Sequence, residues 1–173
     1  MNTELLLTPL PHRARRGDRP VDTIVLHATA HAQGATFEGV IRYLQRSAAT
    51  ANPVSYHYLI AADGRIVKGC PAASCAYHAG RSRGPQGPNV NEYSVGIAFF
   101  NRNDGLDPYP AAQKESCRRL ILELKRQFPA MRYVTTHYGV SWGRKTDPRG
   151  FNVLELARQV SLVPWKAPEA RWL

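Results

Sequence analysis

The chain has 173 residues, enough for one compact domain with its own apolar core and too few to suggest two. Apolar residues make up 43% and charged residues 21%, near ordinary globular values, which argues against a disordered or membrane-embedded chain. A net charge of +10 suits an anionic partner such as nucleic acid, an acidic membrane surface or an anionic cell wall, and otherwise serves solubility.

Residues 1–20 read as a basic, proline-bearing leader carrying Arg13, Arg15, Arg16 and Arg19. Its apolar run is three leucines long, so neither a secretory signal nor a spanning helix is expected, and the protein is expected in the cytoplasm at synthesis. Asp22–Ala28 (DTIVLHA) is a short run of β-branched residues, predicting a buried strand that ends at His27. Phe37, Val40, Ile41 and Leu44 recur at helical spacing behind Thr36, a good cap, so Thr36–Ser47 is predicted to be an amphipathic helix. Val54–Ile60 and Arg65–Lys68 flank the turn dipeptide Asp63-Gly64 and predict a β-hairpin.

The Gly-, Pro- and Asn-rich stretch Gly80–Asn91 predicts a surface loop, followed at once by a strand over Tyr93–Phe100. A second helix is expected over Pro110–Phe128, with Cys117, Leu120, Ile121, Leu124 and Phe128 on one face. Met131–Thr136 reads as a strand, Tyr138–Gly150 as a loop, Phe151–Val160 as a third helix, and residues 163–173 as an irregular tail. Strands alternating with helices, one pair joined by a tight turn, imply an α/β domain over residues 21–162: a mixed central β-sheet flanked by helices. Three cysteines fit neither a disulfide framework nor a zinc knuckle; Cys117 belongs to the core, and Cys70 and Cys75 would pair only if the protein were exported.

Two of the six histidines, His27 and His137, each end a predicted strand and open a polar loop. A catalytic zinc takes three protein ligands and leaves a fourth position for water, and His27, His137 and Asp147 would meet that need. Lys145 stands two residues before Asp147, which in extended backbone places both on one side. An ammonium beside such a site is useful where negative charge develops.

The blocks IVLHATA, VSYHYLIAADGRIVKG, AYHAGRS, SVGIAFFN and THYGVSWGRKTDPRGFN occur in the order found in type 2 N-acetylmuramoyl-L-alanine amidases, which the chain resembles over roughly residues 22–157. That family includes phage lysozyme-amidases, cytoplasmic recycling amidases and peptidoglycan-recognition proteins. The resemblance implies Zn2+ on His27, His137 and Asp147, with Lys145 stabilising an oxyanion and Tyr56 acting beside the metal. It implies cleavage of the lactyl–L-alanine amide of peptidoglycan or muropeptides, with His78 contacting substrate and His57 buried, while their predicted position alone places Arg81 and Asn101 along the groove for the stem peptide. Recycling members carry a glutamate inside the strand where this chain has Ala98, so that Tyr56 with Lys145 suffices, the preferred reading, or Glu92 serves, or activity is reduced. A non-catalytic peptidoglycan-binding module is the alternative, disfavoured by the intact Asp147; nucleic acid is not an expected partner, and a monomer is. Without a signal, access to the wall would follow release, as for an endolysin, or delivery.

Overall fold

The computed structural model describes residues 3–6 and 8–170. In chain order the elements are β1 (Thr3–Leu5), β2 (His12–Arg13), β3 (Thr23–Ala28), α1 (Phe37–Arg46), β4 (Tyr58–Ile60), β5 (Ile66–Lys68) and β6 (Cys75–Ala76). They continue as β7 (Arg83–Gly84), β8 (Gly87–Pro88), β9 (Ser94–Phe99), α2 (Ala111–Gln127), β10 (Tyr133–Thr136), α3 (His137–Val140), α4 (Val153–Val160) and β11 (Val163–Pro164). Seven strands form one sheet in the order β1-β5-β4-β9-β3-β10-β11. Only β4 and β5 run antiparallel, joined by the turn at Asp63-Gly64, so the sheet is mixed, as the alternation of elements implied.

Side-chain alternation assigns the two faces of the sheet. Ile24 and Leu26 of β3 and Val95, Ile97 and Phe99 of β9 bury against Cys117, Leu120, Ile121 and Leu124 of α2 and against Val153, Leu156 and Val160 of α4. On the opposite face, Leu59 and Ala98 pack under Phe37, Ile41 and Leu44 of α1. Thr36 caps α1 by accepting from the Gly39 amide at 3.0 Å, and its apolar stripe lies inward as the spacing required. Among the described residues, no helix is long and apolar enough to cross a membrane.

The segment read as a basic leader is woven into the domain. β1 pairs in parallel with β5 at one sheet edge, and β2 pairs with β6. The Arg15 guanidinium donates to the carbonyls of Ala72 (2.9 Å), Ala73 (3.1 Å), Asn91 (2.7 Å) and Ser94 (2.9 Å). Arg13 pairs with Glu92, whose carboxylate also accepts from the Arg16 amide at 2.8 Å. Two of the leader's four arginines are thus structural staples, and the charge run cannot be counted whole as a surface for an anionic polymer. The tail departs from expectation in the same way: β11 extends the sheet beside β10, and the Trp165 amide donates to the Val134 carbonyl at 2.9 Å. Its last three residues lie outside the described ones.

Loop Gly80–Asn91 holds the small β7–β8 hairpin, and α3 occupies the start of the segment read as the loop Tyr138–Gly150. All three cysteines are buried free thiols; burial pushes the Cys70 thiol up to about 11, which suits core residues rather than reactive ones.

Arg15→Ala should destabilise the fold by roughly 2–3 kcal/mol, because it strands buried carbonyls that accept from a charged donor. Arg16→Ala, with its side chain in solvent, should change stability by less than about 0.5 kcal/mol. Urea titration of both variants checks this, and equal midpoints would contradict the staple. Stability should also fall on acidification from about pH 6.5 toward 3. His57 is buried, accepts from the Gly96 amide at 2.9 Å and donates to the Ser74 carbonyl at 3.0 Å. Burial lowers its folded pKa to about 3, so the unfolded chain takes up the proton first and the loss begins at the unfolded pKa. A melting temperature that holds steady across this range would refute it.

Candidate metal centre and catalytic cavity

β3 and β10 run parallel with Leu26 opposite Thr136, so the next residues in each chain, His27 and His137, emerge side by side at the carboxyl ends of neighbouring strands. Open α/β sheets present their sites at these strand ends. Thr136 turns the chain there by accepting from the Gly139 amide at 2.9 Å, starting α3 directly after β10. Asp147 returns to the same place because the Tyr138 amide donates to its carbonyl at 3.0 Å. His27, His137 and Asp147 are all buried, and one donor atom from each lies within 4.8 Å of the others.

The proton arrangement follows from the partners. Ser94 Oγ donates to the Val90 carbonyl at 2.6 Å, so it must accept from His78 Nε2–H at 3.2 Å. His78 Nδ1 then presents its lone pair and accepts from His27 Nε2–H at 3.0 Å. His27 Nδ1 is left as a fully buried acceptor without a hydrogen-bond partner, 3.4 Å from Asp147 Oδ2. His137 Nδ1 lies 3.1 Å from Asp147 Oδ1 and 3.2 Å from Oδ2, and its Nε2 lies 3.4 Å from the Ala79 carbonyl. Two imidazole nitrogens and a carboxylate therefore converge, and two nitrogens with one carboxylate match the donors of a catalytic zinc.

Electrostatics favour the metal-ready protonation states. Burial, with His137 next in weight, lowers His27 to about 4, keeping it neutral. Burial would raise the Asp147 carboxyl, but the imidazoles of His137 and His27 beside it hold it well below the usual carboxylate range. Burial likewise pushes the Tyr56 phenol well above its ordinary value, so Tyr56 stays protonated; its ring lies 5.1 Å from that of His27.

These groups open into a cavity of about 570 Å³ that Tyr56, His78, His137, Lys145 and Asp147 help line. Thr146 accepts from Asn103 Nδ2 at 3.1 Å outside this lining, while Lys145 and Asp147 face inward, the alternation expected of extended chain. A cavity of about 640 Å³ between the 105–109 loop and α4 holds none of the three donors.

The expected substrate contacts fare differently. His78 is only 4% exposed and both its nitrogens are committed, so it orients His27. Its ring lies flat on β9 at Gly96, where an added Cβ would stand 2.6 Å from His78 Cγ. Arg81 contributes its carbonyl, which accepts from Arg144 Nη2 at 2.9 Å, and its side chain stays off the cavity wall. Asn101 is 1% exposed and braces the following loop, donating to the Asp107 carbonyl at 2.9 Å and accepting from the Asn103 amide at 2.8 Å. Among the described residues, the wall has no carboxylate besides Asp147: Ala98 lies in the α1 core and Glu92 is held by Arg13. Sequence reasoning also passed over Arg144, whose signal was its place directly before Lys145 in the GRKTDP block.

His78→Ala should weaken divalent-metal binding by about 10- to 100-fold, since the imidazole that fixes the His27 tautomer is lost. Zinc titration of the metal-free protein reads this directly, and wild-type affinity in the variant would dismiss the relay.

Comparison with known proteins agrees with this architecture. The family described as N-acetylmuramoyl-L-alanine amidase matches residues 17–150. The chain is 35% identical over 98 residues to the 1,6-anhydro-N-acetylmuramyl-L-alanine amidase AmpD of Salmonella typhimurium, covering 55% of this chain and 50% of that protein. It therefore spans about half the length of the curated relatives it matches. A crystal structure of an AmpD derivative superposes with a TM-score of 0.77 at 25% identity, covering 91% of this chain and 94% of the other. AmiD of E. coli, solved with the substrate anhydro-N-acetylmuramic acid-L-Ala-D-gamma-Glu-L-Lys, superposes at 0.70 with 25% identity, covering 91% and 64%. Drosophila PGRP-LB shares the fold at 18% identity and a TM-score of 0.69, covering 94% and 97%. With most of its length inside the family match, this chain belongs to the N-acetylmuramoyl-L-alanine amidase family.

Proposed function

We propose that the chain is a zinc-dependent amidase that hydrolyses the bond between the lactyl group of N-acetylmuramic acid and the L-alanine of a stem peptide. The observation that carries this reading is the trio His27, His137 and Asp147, three buried groups that each offer a ligand atom within 4.8 Å of the others beside Lys145. Zinc would be held by Nδ1 of both histidines and by the Asp147 carboxylate. When bound, it supplies Lewis acidity toward a carbonyl and lowers the pKa of water toward neutrality. His78 keeps the His27 lone pair turned inward through its own hydrogen bond to Ser94.

The remaining work falls to two donors. The Lys145 ammonium faces the cavity and neutralises the charge that develops on the amide oxygen as the carbon becomes tetrahedral. The Tyr56 phenol, kept protonated by burial, supplies a second hydrogen bond at the same wall. With Ala98 in the core, no second carboxylate takes part as a base. The substrate class follows the relatives, one of which was solved with a muramyl peptide whose second residue is γ-linked glutamate. A binding module without turnover is the weaker reading, because the third donor is present and in contact with both histidines.

Purified protein should carry about one zinc per chain, and complete removal of the metal should abolish release of stem peptide from muropeptides, with recovery on adding zinc back. Full activity in the metal-free protein would end the zinc reading. Lys145→Ala should retain zinc yet lose roughly 100- to 1,000-fold in turnover, the cost of removing one oxyanion donor. Turnover unchanged in that variant would remove Lys145 from its role.

A further inference from the structure

His27 and His137 leave the sheet from paired strands, but Asp147 sits in a surface segment with Thr146, Arg149 and Gly150 exposed around it. Gly143 and Gly150, at φ of +76° and +78°, turn the two ends of that segment in open space. The Asp147 carbonyl accepts from the Tyr138 amide, and among the described residues its carboxylate has one backbone donor, the Ala28 amide at 3.4 Å, too long to aim it firmly. The direction of the carboxylate therefore depends on what holds the backbone on either side. One side chain holds both flanks. Asn103 Nδ2 donates to Thr146 Oγ1 at 3.1 Å, and Asn103 Oδ1 accepts from the Arg149 amide at 2.7 Å. These partners stand one residue before Asp147 and two residues after it.

The bracket has a firm base. Asn103 has a φ of +60°, in the left-handed region that asparagine enters more readily than most residues. Its amide donates to Asn101 Oδ1 at 2.8 Å, and Asn101 Nδ2 donates to the Asp107 carbonyl at 2.9 Å. The Asp107 carboxylate accepts from the Arg102 amide, and Asp104 Oδ1 accepts from the amides of Leu106 and Asp107, each at 2.8 Å. The Asn101 carbonyl accepts from the Ala30 amide at 3.0 Å, which ties this loop to the chain leaving β3 just after His27. We infer that Asn103 is a positioning residue for the metal: by holding Thr146 and Arg149 it sets the backbone from which Asp147 turns its carboxylate toward His27 and His137. The inference rests on the zinc reading above. Two donors then come directly from β3 and β10, and the third is placed from the end of β9, the strand on the other side of β3.

The test is zinc titration of metal-free protein, with melting temperatures read without metal so that loss of fold cannot pass for loss of a ligand. Asn103→Gly keeps the left-handed backbone accessible and removes both hydrogen bonds, and it should weaken zinc binding roughly 10- to 100-fold, the range for groups that orient metal ligands. Asn103→Asp should bind zinc close to wild type, because its two oxygens can accept from the Arg149 amide and the Thr146 hydroxyl. Asn89→Gly makes the same exchange at another left-handed asparagine, φ +62°, outside the cavity lining, and should leave affinity unchanged. In an Asp147→Ala background Asn103→Gly should cost nothing further, because the ligand through which it acts is gone. Wild-type affinity in Asn103→Gly, an Asn103→Asp protein as weak as Asn103→Gly, or a full further loss in the Asp147→Ala background overturns the inference. Wild-type protein that binds no zinc would instead end the zinc reading, and the inference with it.

Discussion

The parallel pairing of β3 with β10 is the constraint on which the site depends. Because Leu26 stands opposite Thr136, the residues that follow leave the sheet together, and their imidazole centroids come to rest 4.5 Å apart. A slip of one residue would turn one of them to the other face, into the core under α2 and α4. The apolar packing of Ile24, Leu26 and Val134 under those helices holds the register, so the burial that folds the protein also places its two nitrogen donors.

Around that pairing the structure sets a layer of neutral, hydrogen-bonded polar groups. The line from His27 through His78 and Ser94 to the Val90 carbonyl orients protons rather than charges, and burial keeps its histidines neutral. Arg15 then ties the Ser94 carbonyl and the neighbouring loops to the amino-terminal segment. Residues far from the cavity thus determine which nitrogen of the His27 ring carries the lone pair. The stability of the fold and the readiness of the site for a cation share the same hydrogen bonds.

The cavity combines one committed carboxylate with two cations and a protonated phenol. Ala98 lies among Phe37, Ile41 and Leu59 and brings no carboxylate to the cavity.

The sequence by itself determined the mixed α/β sheet, the helices with strong apolar periodicity, and the trio His27, His137 and Asp147. Those features are local: β-branched runs, i, i+3, i+4 stripes, and histidines at strand ends within ordered family-like blocks. Tertiary structure alone decided that the basic leader and the tail supply edge strands, since two- and three-residue pairings have no periodicity to read. It also decided that His78 orients His27 and that the Arg81 carbonyl holds Arg144, because those contacts join residues more than fifty positions apart, and that Asn101 is buried bracing the loop after it. Arg144 entered the wall for the same reason: its direction is set by carbonyls some sixty residues away, at Ala79 and Arg81, and no pattern within a single segment encodes a contact of that span.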